Sequence, residues 1–184
     1  MIDRTEALII LKKYRLDDTI IKHSIAVEAI MENLAKHLSK NEEIWKTVGL
    51  LHDLDYEYTK NKPEEHGERT AEILENMLPE EGINAIKAHN YIYTKYLPSS
   101  SLDKSLIASD SVTDLIIKSV QDTSSKKISD LKIETLIEKL NNNSFIKENN
   151  RKKIYLCIDI GIDIKKFLEI SLNSLKKISD KLDM

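Results

Sequence analysis

Five histidines occur in the 184 residues, at positions 23, 37, 52, 66 and 89, and four of them sit where chemistry is possible. His23, His66 and His89 each fall on the apolar stripe of a different predicted helix. His52 directly precedes Asp53 at the end of a fourth, and Asp110 interrupts a fifth stripe between Ile107 and Thr113. A carboxylate buried without a partner costs several kcal/mol, so Asp110 calls for a nearby cation. Imidazole and carboxylate together suit borderline divalent ions such as Mn, Fe, Co, Ni or Zn. Neighbours in a helix differ by about 100° of rotation, so His52 and Asp53 can approach one ion from adjacent directions. His37 lies among lysines in Ala-Lys-His-Leu-Ser-Lys and reads as a surface residue.

Helices must carry these groups, because helical periodicity runs through almost the whole chain. Residues 4–14 make a short opener with Leu8, Ile9 and Leu11 inward. Asp17 or Asp18 can cap a second helix whose stripe is Ile20, His23, Val27, Ile30 and Leu34. Asn41 can cap a third from Glu42 to Leu54. Pro63 suits the first turn of a helix showing His66, Thr70, Ile73 and Met77 inward. Pro79 and Gly82 break the chain before Ile83, Ile86 and His89, and a helix with Leu102, Leu106, Asp110, Thr113 and Ile117 follows the Pro98 loop. The polar stretch Gln121–Lys127 is the candidate boundary. Beyond it come helices at about 130–140, 149–160 and 163–180, with Gly161 stopping the second and Asp163 capping the third. The expected architecture is all-α: a core over 1–120 and a helical extension over 121–184 packed on it.

Composition agrees and narrows the function classes. Four glycines and three prolines are too few for a turn-rich β-sandwich or barrel. The single cysteine, Cys157, excludes an internal disulfide and a four-thiolate zinc site. The longest apolar run, Ile154 to Ile158, is far short of the ~20 residues that span a bilayer. No secretory signal is evident at the N-terminus, so a cytoplasmic location is expected. With 28 basic and 31 acidic residues there is no general nucleic-acid footprint. The charge is uneven, however. Residues 1–117 hold 14 Lys/Arg against 21 Asp/Glu, and residues 118–184 hold 14 against 10. The acidic part needs cations, and the basic part could greet an anionic substrate.

His23 in IIKHSIAV, the doublet in GLLHDLD and Asp110 in LIASDSVTDL together resemble the H…HD…D pattern of the HD-domain superfamily of metal-dependent phosphohydrolases. His66 in EEHGERTAEIL and His89 in IKAHN fall where binuclear members place two further histidines. The resemblance covers about residues 18–117, and the tail is similar to that of small stand-alone bacterial HD proteins. It implies an HD-type helical bundle, a divalent metal at these positions, and hydrolysis of a small phosphate mono- or diester such as a nucleotide. Many members follow the doublet with Ile-Gly and then Lys, whereas this chain continues Leu54-Asp55-Tyr56-Glu57.

Several roles then follow as expectations. His23, His52, Asp53 and Asp110 suffice for one ion. His66 and His89 either complete a second ion bridged by Asp53 or contact the substrate phosphate directly. Catalysis would centre on Asp53, with Asp55 or Glu57 moving a proton, unless these two are only capping or surface carboxylates. Arg69, Lys95, Lys126 and Lys127, with Ser124 and Ser125, are candidate phosphate contacts. Two other readings use the same ligands: a di-iron HD-type oxygenase and a metal-stabilised ligand sensor without catalysis. The substrate's identity and the oligomeric state are not legible at this level.

Overall fold

The computed structural model describes residues 2–14 and 16–184. Helices run in the order α1 (Arg4–Lys13), α2 (Asp18–His37), α3 (Glu42–Leu51), α4 (Tyr56–Thr59), α5 (Glu68–Leu74) and α6 (Glu80–Ala88). They continue as α7 (Ser101–Gln121), α8 (Ile133–Asn141), α9 (Glu148–Asp159), α10 (Ile164–Lys176) and α11 (Ser179–Leu182), and no strand occurs among the described residues. Starts are set by side-chain caps. Asp3 and Ser100 form capping boxes on α1 and α7, while Asp17, Asn41 and Asp163 accept backbone N–H groups of α2, α3 and α10. No helix among the described residues is long and apolar enough to cross a membrane.

One apolar cluster joins the elements, from Leu11 through Ile30, Leu51, Ile86 and Leu106 to Leu136, Ile154, Phe167 and Leu175. Residues beyond 121 therefore share the core: α9 packs along α7, and α10 packs on α2 and α8. Burial of each such side chain stabilises the fold by about 1.5–3 kcal/mol. The closest pairing is α2 with α3, and Gly49 permits it. A Cβ there would stand 3.0 Å from Met31 Cγ and 3.1 Å from the Val27 carbonyl oxygen. Arg4 ties α1 to α2 by a two-pronged bond to the buried Glu28 carboxylate, at 2.6 and 2.8 Å.

Several sequence expectations are corrected. α3 ends at Leu51 rather than Leu54, releasing His52–Asp55 into a turn before the unforeseen α4. Pro63 lies in a run of turns instead of a first helical turn, and α5 starts only at Glu68. His66 is therefore on a loop, and Met77 is exposed rather than inward. Gly82 sits inside α6 against Val48 and breaks nothing. In α1 the buried positions are Ala7 and Leu11, with Ile9 exposed. The last expected helix is two, α10 and α11.

Candidate metal centre

His52 and His89 are built the same way. Each is the C-cap of a helix, α3 and α6 respectively, where main-chain carbonyls lack helical partners. His52 donates Nδ1–H to the Gly49 carbonyl at 2.9 Å, and His89 donates Nδ1–H to the Ile86 carbonyl at 2.6 Å. A carbonyl only accepts, so in each neutral ring the lone pair must sit on Nε2. Both Nε2 atoms point at Asp53 Oδ1, at 3.3 Å from His52 and 3.5 Å from His89.

The other two histidines arrive differently. His23, in the middle of α2, faces α7, with Nε2 3.1 Å from Asp110 Oδ1 and Nδ1 3.5 Å from Asp114 Oδ1. His66 comes from the loop before α5. Its Nδ1–H donates to Asp55 Oδ1 at 2.7 Å, leaving Nε2 3.2 Å from Asp53 Oδ1 and 3.0 Å from His89 Nε2. That loop needs Gly67. Its φ is +91°, and a Cβ would meet the Ile86 carbonyl at 2.7 Å and the His89 ring at 3.1 Å. The Gly67 and Thr70 N–H groups both donate to Asp55 Oδ2, at 2.8 and 3.0 Å.

The side chains thus form two trios, His23–His52–Asp53 and Asp53–His66–His89, each with ligand atoms close enough for one ion. Asp53 belongs to both, and Asp110 flanks the first. A family model for the HD domain matches residues 20–135, more than half the chain. The chain belongs to the HD domain family. No curated protein and no solved structure matches it significantly. The HD match runs to 135, past the boundary expected at 120, and enters α8.

The donor set fits a divalent metal, as HD domains bind. The clearest sign is His52 Nε2, which is buried and has no hydrogen-bond partner. Its lone pair faces two carboxylate oxygens, Asp53 Oδ1 and Asp110 Oδ1, the latter at 3.9 Å. Lone pair against anion is repulsive unless a cation stands between them, and an orphaned buried acceptor costs about 1–3 kcal/mol.

Protons carry part of that charge when no metal does. Burial opposes charge on His66, but bonds to Asp53 and Asp55 outweigh it and raise the imidazole to about 10. Burial opposes charge on His23 too, yet Asp110 and Asp114 raise it to about 9. Burial pushes His52 down, so it stays neutral. Asp53 is pushed up by burial, but the imidazoles around it, with His66 charged, hold it well below the usual carboxylate range. Asp110 is held low against burial mainly by its bond to His23.

The cluster gathers all six expected ligands, Asp55 stands behind His66, and the remaining expected site residues lie outside the two trios. Asp55 is fully buried, and its two oxygens accept from His66, Gly67 and Thr70, so it is no free carboxylate. Glu57 is half-buried and pairs with Lys60 at 3.1 Å. Arg69 lines a groove with Glu65, Glu68 and Glu72, surroundings that repel phosphate. Lys126 and Lys127 line another groove with Ser125, one that no residue of the cluster lines. Lys95 is exposed on the segment after α6, and Ser124 is exposed beside Ser125. Sequence reasoning missed Asp114, Gly67, Thr70 and Thr59, whose hydroxyl lies 3.2 Å from His66 Nδ1. Asp114 follows Asp110 by four residues, one helical turn, and that spacing was its signal. The His66-Gly67 pair signalled a turn that the helical reading concealed.

Proposed function

We propose that this HD protein is a metal-dependent phosphohydrolase acting on a small phosphate ester through two ions that share Asp53. The observation that carries the reading is the convergence on Asp53 Oδ1: imidazole nitrogens of His52, His66 and His89 lie 3.3, 3.2 and 3.5 Å away. First-ion ligands would be His23, His52, Asp53 and Asp110, and second-ion ligands Asp53, His66 and His89. The chemistry such ions would supply is neutralisation of phosphoryl oxygens and a pKa of bound water lowered from 15.7 toward about 7.

The chain's own residues supply the positioning. The Gly49 and Ile86 carbonyls fix the tautomers of His52 and His89, and Asp55 fixes that of His66. These are the outer partners that orient metal-bound histidines. Asp55 is thus a positioning residue in this reading, in place of the proton carrier expected from the sequence. Tyr56 stands beside the second trio, its ring 6.0 Å from that of His66 and 38% of its surface exposed.

The test is a phosphate-release screen over nucleotides and other mono- and diesters, with Mn, Co, Ni or Fe added to chelator-stripped protein. Release with metal and none with chelator is the expected outcome. No turnover with any metal, together with iron-dependent oxygen uptake, would overturn it in favour of the di-iron oxygenase reading. No turnover of either kind would leave a metal-stabilised sensor.

A further inference from the structure

A groove of about 670 Å³ runs between α7 and α9, bounded by Ile92, Tyr93, Asp114, Lys118, Lys147 and Lys153 among others. Asp114 connects it to the candidate centre, since the same carboxylate lies 3.5 Å from His23 Nδ1. Three lysines line it against a single carboxylate, Asp114. That is the reverse of the acid excess over residues 1–117, and all three lysines belong to the basic stretch 118–184. Here the extension contributes to the site.

The lysines are not equivalent. Lys118 is committed to structure: its Nζ donates to the Phe145 carbonyl at 2.7 Å and lies 4.5 Å from the Phe145 ring. Lys147 is exposed and Lys153 half-buried. Lys153 lines the same groove as Asp114, the carboxylate that reaches His23. On the same groove stand Ile92 and Tyr93, three and four residues past His89, with 38% and 59% of their surfaces exposed. An exposed aromatic and an exposed aliphatic side chain beside uncommitted cations suit a ligand that is part flat ring, part anion.

We propose that this groove binds the substrate beside the first trio, with Lys147 and Lys153 on its phosphate and Tyr93 and Ile92 against a planar ring. The ligand class is an organic phosphate carrying a flat ring, as in a nucleoside phosphate. The proposal rests on the phosphohydrolase reading of the adjacent centre. It replaces Arg69, Lys95, Lys126 and Lys127 as the phosphate contacts.

The test is equilibrium binding to the Mn-loaded full chain. The probes are hydrolysis-resistant phosphonate analogues of the four nucleoside 5′-monophosphates and of ribose 5-phosphate, which lacks the base. At least one nucleoside analogue should bind ~10-fold tighter than the ribose analogue. Tyr93→Ala should cut that preference to within about twofold and leave ribose binding unchanged. Lys147→Ala combined with Lys153→Ala should weaken every analogue by ~10-fold. Both variants should keep the wild-type metal content. Equal binding of nucleoside and ribose analogues by wild type, or variants that bind like wild type, would overturn the groove assignment. Phosphate release from natural nucleotides is measured separately. Binding as expected without release would overturn the hydrolase reading alone, and release with unaltered variants would overturn the groove alone.

Discussion

The two trios that meet at Asp53 are alike in one histidine and unlike in the other. His52 and His89 are both helix C-caps that donate Nδ1–H to a carbonyl three residues back. Their companions differ: His23 stands on the twenty-residue α2, whereas His66 hangs on a loop. A long helix needs only its periodicity and the close approach at Gly49 to present an imidazole. A loop needs specific devices, here the positive φ of Gly67 and the Asp55 carboxylate, to give one side chain a single direction. The lesson is that His23 is presented by the packing of its helix, whereas His66 is aimed by a glycine turn and hydrogen bonds.

The most damaging change should be at the shared residue. Asp53→Asn should drop phosphate release to the level of chelator-treated protein while circular dichroism stays helical. Retained turnover in that variant would break the bridging role. Next comes Gly67→Ala. The added Cβ would press on the Ile86 carbonyl at 2.7 Å in a backbone conformation that disfavours it. Loss of about 1–3 kcal/mol in denaturant unfolding is expected, with the affinity of one ion lowered and the other intact. An equal loss of both ions would mean that the halves are not separate.

Asp55 sharpens the comparison further. As a positioning residue its Asn variant should weaken binding of the second ion by ~10–100-fold and spare the first. A proton carrier would instead lose ~10²–10⁴ in turnover at full metal content. Glu57→Gln, at a residue already paired with Lys60, should stay within about twofold of wild type. Either result is read by metal titration alongside initial rates.

The effect of pH is smaller and falls on both trios. His23 and His66 have imidazole values raised from 6.5 to about 9 and about 10. Their contribution to the metal-free fold is complete below about 6.5 and fades as pH rises through that range. Asp53 and Asp110 lie below 3.8, so their contribution is present above that value and fades as pH falls further. At pH 7 metal must displace protons from His23 and His66, so affinity should rise with pH. Calorimetry in two buffers of different ionisation enthalpy should detect proton release, and its absence would contradict the proton-filled cluster.

The same contrast explains what was legible in the residues. Periodicity is a property of long helices, so α2, α7 and the inward placing of His23 and Asp110 are readable from spacing. His52 and His89 are readable as candidate ligands but not as C-caps, because the helical pattern continues past Leu51. His66 was placed on a helix that begins two residues after it, since Thr70 and Ile73 mimic a stripe from it. Asp55 could not be recognised as an orienting group, because its partners Gly67 and Thr70 are twelve and fifteen residues away. The grooves of the candidate phosphate contacts were not legible for a related reason: a lysine shows its charge in the sequence but not which groove it lines.

Metal content of the Mn- or Fe-saturated protein tests the central claim most directly. Two ions per chain are expected for wild type, falling to near one in His66→Ala and in His89→Ala. A wild-type value that never exceeds one would contradict the shared-aspartate centre.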